Sequence, residues 1–218
     1  MINNIKKTTL GVALAVATLF AATSASAALT VTIGGTAVAN EGLKSSVAGA
    51  ITTDFNANLL NPANYTGGAV KNGSQSGDWA SPPSDTSNYF SVGPSTTASA
   101  TIAFSGLQSY FGYYGGSPDD YNFVDFYNGQ NKIATFDGIT LANLASVTHD
   151  GDQSVGSYWN FTAGNSGDYF NSVVLRSASN AFETDNHAVL AVPEPETYAM
   201  MLAGLGLMGF VARRRKNG

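Results

Sequence analysis

The alternation of apolar and polar residues along the chain predicts a protein built mainly of β-strands. Residues 29–33 (LTVTI) and 98–104 (ASATIAF) place apolar side chains at every second position, which is the period of a strand. The predicted strands are Leu29–Ile33, Ala98–Phe104, Ser109–Tyr114, Tyr121–Tyr127, Lys132–Phe136, Ser146–His149, Ser157–Thr162, Ser172–Arg176 and Ala188–Ala191. Short strands separated by Gly, Asn and Asp favour an all-β body, an antiparallel β-sandwich of jelly-roll-like type.

The strand that contains the sequence SYFGYY carries aromatic residues on both of its faces. Alternation predicts that Tyr110, Gly112 and Tyr114 share one face. Phe111 and Tyr113 then share the other face. Because rings lie on both sides, we expect at least one row to be either exposed to solvent or covered by a loop.

Other stretches have a less regular pattern. Residues 43–60 contain enough apolar positions for a short helix, and residues 61–97 are rich in Asn, Gly, Ser, Thr and Pro. The second composition predicts a loop-rich region. Asn128-Gly129 follows a predicted strand and favours a two-residue type I′ hairpin turn, because both residues tolerate a positive φ.

Residues 1–27 have the three parts of a secretory signal peptide. Lys6-Lys7 supplies the positive charge, residues 8–22 form an apolar helix, and Ala25-Ser26-Ala27 is an A-x-A cleavage site. We expect signal peptidase to recognise Ala25 and Ala27 and to leave Ala28 as the first residue of the mature chain. The alternative is an uncleaved membrane anchor, for which the apolar run is short.

Residues 192–218 join an extended entry, an apolar run and a basic cluster. Proline lacks a backbone N–H and restricts its neighbours, so Pro193-Glu194-Pro195 is predicted to be extended and accessible. Residues 198–212 are predicted to form a transmembrane helix of about 22 Å, shorter than the roughly 30 Å apolar core of a bilayer. A buried core helix is the alternative, which does not suit the cations that follow. Those cations orient the helix towards the cytoplasm, and they are Arg213, Arg214, Arg215 and Lys216.

This three-part arrangement resembles the PEP-CTERM sorting signal of Gram-negative bacteria. The resemblance implies that the protein is a substrate of exosortase, a transpeptidase-like enzyme of the inner membrane, which removes the tail near Pro193-Glu194-Pro195. It further implies delivery of the body to the cell surface or the extracellular polysaccharide matrix. The same tail is also called an ice-binding protein C-terminal domain. Ice binding needs a flat, regular Thr array, for which the TVT of residues 30–32 is too short.

Two stretches of the body, residues 110–129 and 171–189, resemble a subgroup of exosortase-dependent surface proteins. They share a G-S-x-D-x-Y-N turn that begins at Gly116, an aromatic-Asn-Gly hairpin and an F-E-x-D-N sequence that begins at Phe182. The chain has Gly115 where the pattern of the subgroup has a tryptophan. The resemblance implies a β-sandwich surface module without catalysis.

Charge and composition exclude several functions. The net charge is −5, and the stretch between Lys7 and Arg213 carries only four of the ten basic residues but all 15 acidic ones. Such a stretch is a poor partner for nucleic acid, whose phosphates require clustered Lys and Arg. The chain has no cysteine, which excludes disulfides, thiolate metal ligands and cysteine nucleophiles.

The sequence contains no established catalytic motif. It lacks G-x-S-x-G, H-E-x-x-H and a glycine-rich phosphate loop. His149, Asp150 and Asp152 are the main candidates for acid–base chemistry, but HDGD is typical of a solvated turn. An EF-hand that starts at Asp150 fails, because its sixth and twelfth positions are Val155 and Phe161. We therefore expect no enzymatic activity.

Two kinds of ligand site remain as candidates. Ca²⁺ takes carboxylate and carbonyl oxygens, and the candidate ligands in turns beside strand ends are Asp119, Asp120, Glu183 and Asp185. Ordinary turn hydrogen bonding is the alternative role of these carboxylates. Flat aromatic faces can stack on sugar rings, and the candidates are Tyr110, Tyr113, Tyr114 and Trp159. The alternative is that these aromatic rings fill the core.

The sequence thus predicts an exported protein with a signal peptide (residues 1–27), a β-sandwich body (28–191) and a sorting signal (192–218). The expected partners are signal peptidase, exosortase, transiently the inner membrane, and exopolysaccharide, with no nucleic acid. No cofactor is expected other than a structural Ca²⁺. The expected role is structural or adhesive in a biofilm matrix. A carbohydrate-binding module is the alternative, and a secreted hydrolase is the least favoured.

Overall fold

The computed structural model describes residues 29–56, 64–193, 201–205 and 207–208. The predicted signal peptide and the basic cluster lie outside these residues, as does most of the predicted transmembrane helix. Residues 201–205 and 207–208 are helical and exposed. Among the described residues, no helix has the length and apolar character needed to cross a bilayer.

Thirteen strands form the described body, and every pairing between them is antiparallel. In chain order they are β1 (Thr30–Ile33), β2 (Thr36–Val38), β3 (Gly42–Lys44), β4 (Ile51–Thr53), β5 (Tyr65–Thr66), β6 (Ala69–Asn72), β7 (Asn88–Val92), β8 (Ser99–Gly115), β9 (Asn122–Asn128), β10 (Asn131–Asp137), β11 (Ser157–Thr162), β12 (Phe170–Ser177) and β13 (Phe182–Ala191). One helix, α1 (Gly138–Ala145), and one 3₁₀ turn at Ser166–Asp168 complete the regular structure of the described body. The predicted all-β class is therefore confirmed.

The long strand β8 connects two groups of strands. Its first half pairs with β12 and β5, whereas its second half pairs with β11 and β13. The order across the main sheet is β10-β9-β12-β8-β13-β7-β6, with β1 paired to β11 and β4 paired to β13. The short strands β2 and β3 form a separate two-stranded ribbon. The strands that pair with the first half of β8 and the strands that pair with its second half are therefore joined by this one strand.

Aromatic side chains from both groups meet in one core. Phe126 on β9 has its ring centroid 5.1 Å from that of Phe161 on β11, although these two strands do not pair. Phe111 on β8 and Phe170 on β12 lie 6.1 Å and 4.9 Å from the Phe126 ring. All four rings are fully buried. Burial of such a side chain stabilises a fold by about 1.5–3 kcal/mol.

A second, smaller cluster lies on the opposite face of β8. Tyr110 and Tyr114 of β8 pack there with Tyr158 of β11. The chain between β1 and β4 covers these rings, and the Ser45 hydroxyl lies 2.8 Å from the Tyr110 hydroxyl. Apolar residues of the same covering segment are Leu43, Val47 and Ala50. The predicted alternation along β8 is therefore present, and its second aromatic row is covered by a loop.

The structure differs from the predicted elements in four places, and in one of them the predicted strands Ala98–Phe104 and Ser109–Tyr114 form the single strand β8. Residues 146–149 are not a strand, because α1 ends there at Ser146 in the left-handed conformation (φ 54°). That helix begins where the Asp137 carboxylate accepts a hydrogen bond from the Thr140 N–H at 2.7 Å, an N-cap contact. Residues 43–56 contain β3 and β4 in place of a helix, and the loop-rich region also contains β5, β6 and β7.

The hairpin between β9 and β10 forms as predicted, but its turn lies one residue later. Asn128 pairs with Asn131, so the two turn residues are Gly129 and Gln130. Gly129 has a φ of 59°, which glycine adopts without steric cost. Glycine at the first of two turn positions is the preference of type II′ turns rather than type I′.

Candidate functional site

The aromatic residues that were candidates for carbohydrate binding are all inside the protein. Tyr110, Tyr113, Tyr114 and Trp159 each have 3% or less of their surface exposed. Tyr113 and Trp159 stack in the main core with ring centroids 5.4 Å apart. Tyr110 and Tyr114 lie under the segment that covers the second face. The structure therefore corrects this assignment, because none of the four presents a flat ring to a ligand.

The four candidate calcium ligands do not form one site. Asp119 is buried and Asp120 is exposed between β8 and β9, whereas Glu183 and Asp185 belong to β13. Burial raises the pKa of Asp119 above its ordinary value. Within the described residues, no group of three or more acidic or histidine side chains converges as a ready-made metal centre.

Glu183 and Asp185 share the face of β13 that points away from the main core. Thr184 between them faces the core, where its hydroxyl oxygen lies 2.8 Å from Nε2 of His187, and successive side chains of a strand alternate between faces. The Glu183 carboxylate accepts a hydrogen bond from the Ala80 N–H at 2.8 Å. Burial, with a smaller effect from nearby Asp119, raises the pKa of Glu183 to about 7.

The Asp185 carboxyl lies against a second buried acid, Asp85, from the chain between β6 and β7. Asp185 has 0% and Asp85 4% of its surface exposed. Neither carboxylate oxygen of Asp185 has a hydrogen-bond partner among the described residues, and the same holds for Oδ2 of Asp85. Burial and the nearby Asp85 charge raise the pKa of Asp185 to about 9. Oδ1 of Asp85 accepts hydrogen bonds from the Ser87 N–H and hydroxyl at 2.8 Å and 2.7 Å.

Residues 80–87, which we call the cover loop, lie over the outer face of β8 and β13. The Tyr114 hydroxyl of β8 donates a hydrogen bond to the Pro83 carbonyl oxygen. Tyr114 and Asp185 are direct cross-strand partners, so their side chains project from the same face. Burial, followed by the charges of Asp85 and Asp185, raises the pKa of Tyr114 to about 12. The cover loop therefore encloses one phenol and two carboxyl groups.

The sequence pattern does not single out Asp85. It lies in the loop-rich stretch, 100 positions before Asp185, and no periodicity relates the two. The local signal is Asp85-Thr86-Ser87, a sequence in which a carboxylate readily accepts a hydrogen bond from the N–H two residues later. That signal predicts a turn at Asp85, but it does not indicate that Asp85 lies next to Asp185.

The residues considered for acid–base chemistry lie in a surface turn. His149 and Asp150 are exposed. The Asp152 carboxylate accepts hydrogen bonds from the Ser154 N–H at 2.8 Å and from the Ser154 hydroxyl at 2.7 Å. These contacts match the solvated turn that the HDGD sequence favours.

The chain leaves the folded body at the start of the Pro-Glu-Pro sequence. β13 ends at Ala191, and the Val192 N–H donates to the Leu107 carbonyl at 2.9 Å. Pro193 is exposed. Glu194 and Pro195 lie outside the described residues. The Val192 contact is therefore made one residue before the exposed Pro193.

Comparisons with known proteins bear mainly on the tail. Residues 191–216 match the family model of the PEP-CTERM protein-sorting motif. No curated protein matches the chain significantly. Among solved structures, the crystal structure of the K2 cleaved adhesin domain of Lys-gingipain is similar, with a TM-score of 0.42 and 16% sequence identity. That alignment covers 64% of this chain and 98% of the adhesin domain.

Proposed function

Because the chain carries a PEP-CTERM protein-sorting motif at residues 191–216, we propose that it is an exported surface or matrix protein that exosortase processes. The motif match is the observation that carries the proposal. The exposure of Pro193 directly after β13 supports it, since a processing enzyme needs access to the chain outside the folded body. The protein is the substrate in this scheme, and the catalytic residues belong to exosortase.

The proposed route assigns one step to each part of the chain. Residues 1–27 direct export and are removed by signal peptidase after Ala27. Residues 198–212 then hold the chain in the inner membrane, and the basic cluster at 213–216 keeps its end on the cytoplasmic side. Exosortase cuts near Pro193-Glu194-Pro195 and releases the body to the cell surface or the extracellular matrix.

The body, in this proposal, is a β-sandwich with a structural or adhesive role in a biofilm or exopolysaccharide matrix. Support comes from the shared core, in which rings of strands that do not pair, such as Phe126 and Phe161, pack at a tilt across the two groups of strands. The aromatic rows on both faces of β8 are used for packing. In this role the body acts as a stable module whose outer surface contacts the matrix.

Carbohydrate binding is a second candidate, at a different place from the buried tyrosines. A groove of about 320 Å³ contains the half-buried Trp79, and amide and carboxyl groups beside it can bond to hydroxyls. The Lys71 ammonium covers one face of the Trp79 ring at 3.6 Å from its centroid, and Lys71 is not among the residues that line the groove. The polar lining residues are Gln75, Asp78, Gln153, Asn180 and Glu183.

Mass spectrometry of the chain termini tests the sorting proposal. Surface material from a host with exosortase should contain a form that begins at Ala28 and ends before Tyr198. The same host without exosortase should retain the complete tail in the membrane fraction. Intact Gly218 in surface material would contradict the proposal.

A pair of glutamate variants sharpens the test. Glu194→Gln removes the charge within Pro-Glu-Pro, and we expect uncleaved protein to accumulate in the membrane. Glu196→Gln removes a charge two positions later, and we expect normal processing. Equal processing of both variants would show that exosortase does not recognise the charge of Glu194.

Affinity electrophoresis in gels that contain the exopolysaccharide of the producing host tests the second candidate. Retardation that Trp79→Ala abolishes, and that the groove-remote Tyr169→Phe leaves intact, is the expected result for binding in the groove. No retardation of the unmodified protein would exclude carbohydrate binding there.

A further inference from the structure

The acid pair beneath the cover loop concentrates buried carboxylate oxygens that have no hydrogen-bond partner among the described residues. Three carboxylate oxygens, both of Asp185 and Oδ2 of Asp85, are buried and have no hydrogen-bond donor among the described residues. Carboxylate groups in proteins are strongly solvated unless they are paired, so leaving them dry and unpartnered is costly. The pair therefore needs a shared proton or a bound cation to neutralise these oxygens.

The chain itself supplies no cation at this place. In the described part of the structure, the ion pairs are those of Asp125 with Lys132 and with Arg176. Two residues near the pair use their donors elsewhere, because the Tyr114 hydroxyl donates to Pro83 and the Ser87 groups donate to Oδ1 of Asp85. The remaining oxygens of the two carboxyl groups have no partner, and the groups lie near enough for the Asp85 charge to raise the pKa of Asp185.

We propose that Asp85 and Asp185 hold a divalent cation, for which Ca²⁺ is the best fit, between the cover loop and β13. Two carboxylates carry the charge that neutralises one Ca²⁺. Ca²⁺ completes its shell of 6–8 oxygens with backbone carbonyls and water, so it does not require a third acidic side chain. Zinc and similar metals prefer thiolate and imidazole ligands, and the chain has no cysteine.

The location assigns a structural role to the ion. Asp185 belongs to β13, which pairs with the central strand β8, whereas Asp85 belongs to a loop. An ion between them fixes the cover loop on the outer face of the sheet, above the Tyr114 ring. Of the four Ca²⁺ ligands that the sequence suggested, only Asp185 belongs to this site, and its second carboxylate ligand is Asp85.

Calorimetry and thermal unfolding of the full-length protein, purified in mild detergent and stripped with EDTA, test the site. Titration with CaCl₂ should release or absorb heat at a stoichiometry of about one. Saturating Ca²⁺ should raise the unfolding midpoint by about 5 °C or more. Asp85→Asn and Asp185→Asn should each abolish the heat and the shift.

Two controls separate loss of the site from loss of the fold. Each Asn variant replaces a buried acid with a neutral amide of nearly equal size, so in EDTA its unfolding midpoint should equal or exceed that of the unmodified protein. Asp120→Asn removes an exposed carboxylate near β9, and it should leave the Ca²⁺ response intact. Loss of the response in Asp120→Asn alone would place the ion at the β8–β9 turn and overturn the proposal.

Terbium luminescence gives an independent readout. Tb³⁺ in the site should be sensitised by the neighbouring Tyr114 and displaced by Ca²⁺, and Tyr114→Phe should weaken the emission. Neither heat nor a midpoint shift with millimolar Ca²⁺ in the unmodified protein would overturn the proposal. In that case the two acids share a proton instead.

Discussion

Tyr65 and His187 lie 122 positions apart in the sequence, yet the Tyr65 hydroxyl is 2.8 Å from Nδ1 of His187. The other imidazole nitrogen, Nε2, is 2.8 Å from the Thr184 hydroxyl oxygen. Rings of Phe55 and Phe90 enclose the imidazole at centroid distances of 5.0 Å and 6.0 Å. Burial lowers the pKa of His187 to about 3, so the ring is neutral at pH 7 and both its nitrogens are satisfied.

Removal of the Tyr65 hydroxyl should destabilise the fold through this contact. Tyr65→Phe keeps the ring but leaves a buried imidazole nitrogen without a partner, which costs about 1–3 kcal/mol of unfolding free energy. Urea unfolding at pH 7 measures the change. Tyr169→Phe, whose partly exposed hydroxyl makes no hydrogen bond among the described residues, is the control and should change the free energy by less than about 0.5 kcal/mol. Equal effects of the two variants would show that the buried contact contributes nothing.

Gly42 and Gly73 have the same backbone angle, so alanine at each position distinguishes the cost of the backbone conformation from the cost of a steric clash. Gly42 and Gly73 both have a φ of 68°. A Cβ at Gly73 meets nothing within 4 Å, whereas a Cβ at Gly42 would lie 2.0 Å from Cε1 of Tyr114. Gly73→Ala should cost about 1–2 kcal/mol from the left-handed backbone alone. Gly42→Ala should cost at least about 2 kcal/mol more, because the Tyr114 ring must move.

Thermal and urea unfolding of both alanine variants measures that difference. Near-ultraviolet circular dichroism should also change for Gly42→Ala, since Tyr114 changes its environment. A similar loss of stability in both variants would mean that the start of β3 moves away from β8 without cost.

The ion pairs of Asp125 predict a specific pH dependence of stability. The nearly buried Asp125 carboxylate accepts hydrogen bonds from Arg176 Nε at 2.6 Å and from Lys132 Nζ at 3.1 Å. Burial acts to raise the pKa of Asp125, but these cationic donors outweigh it and the pKa lies below its ordinary value. The folded state therefore binds this proton less readily than the unfolded state. The resulting stabilisation is complete above about pH 4 and is lost as the pH falls through the lowered pKa.

Asp125→Asn should remove this contribution. At pH 7 the variant should be less stable by about 1–3 kcal/mol, the range for hydrogen bonds to charged groups. As the pH falls through the lowered pKa of Asp125, the difference from the unmodified protein should shrink, because the carboxyl then becomes protonated in the folded as well as the unfolded state. A difference that stays constant between pH 7 and pH 2 would show that the charge of Asp125 is not the cause.

Local periodicity was sufficient to predict what lies along a single strand. The two faces of β8 were predictable because Tyr110 and Phe111 are neighbours and strand side chains alternate. The helix α1 has a recognisable N-cap in Asp137, but its eight residues are too few for a clear helical pattern. The turn of the β9–β10 hairpin shifted by one residue because the pairing of Asn128 with Asn131, set across the strands, decides the register.

Contacts between distant segments were not predictable from the sequence. Asp185 was recognisable as a carboxylate at a strand end, whereas its partner Asp85 depends on how a loop without periodic pattern folds back over β13. The same holds for Tyr65 and His187, which meet only because β5 and β13 flank β8. Sequence neighbours such as Asp119 and Asp120 point to different surroundings for the same reason.

The position of β13 has a consequence for the order in which the molecule can assemble. This strand is the last before the sorting motif, and it pairs with β8, β7 and β4, which come from the whole preceding length of the chain. A polypeptide that crosses a membrane amino end first delivers β13 only after every partner strand has emerged. Long sequence separation between contacting segments slows folding, so the translocated chain remains incomplete until that point. Under the proposed route, final closure of the sheet and arrival of the Pro-Glu-Pro segment therefore coincide, and a tail still held in the membrane would keep the late-folding chain at the bilayer while its last strand inserts.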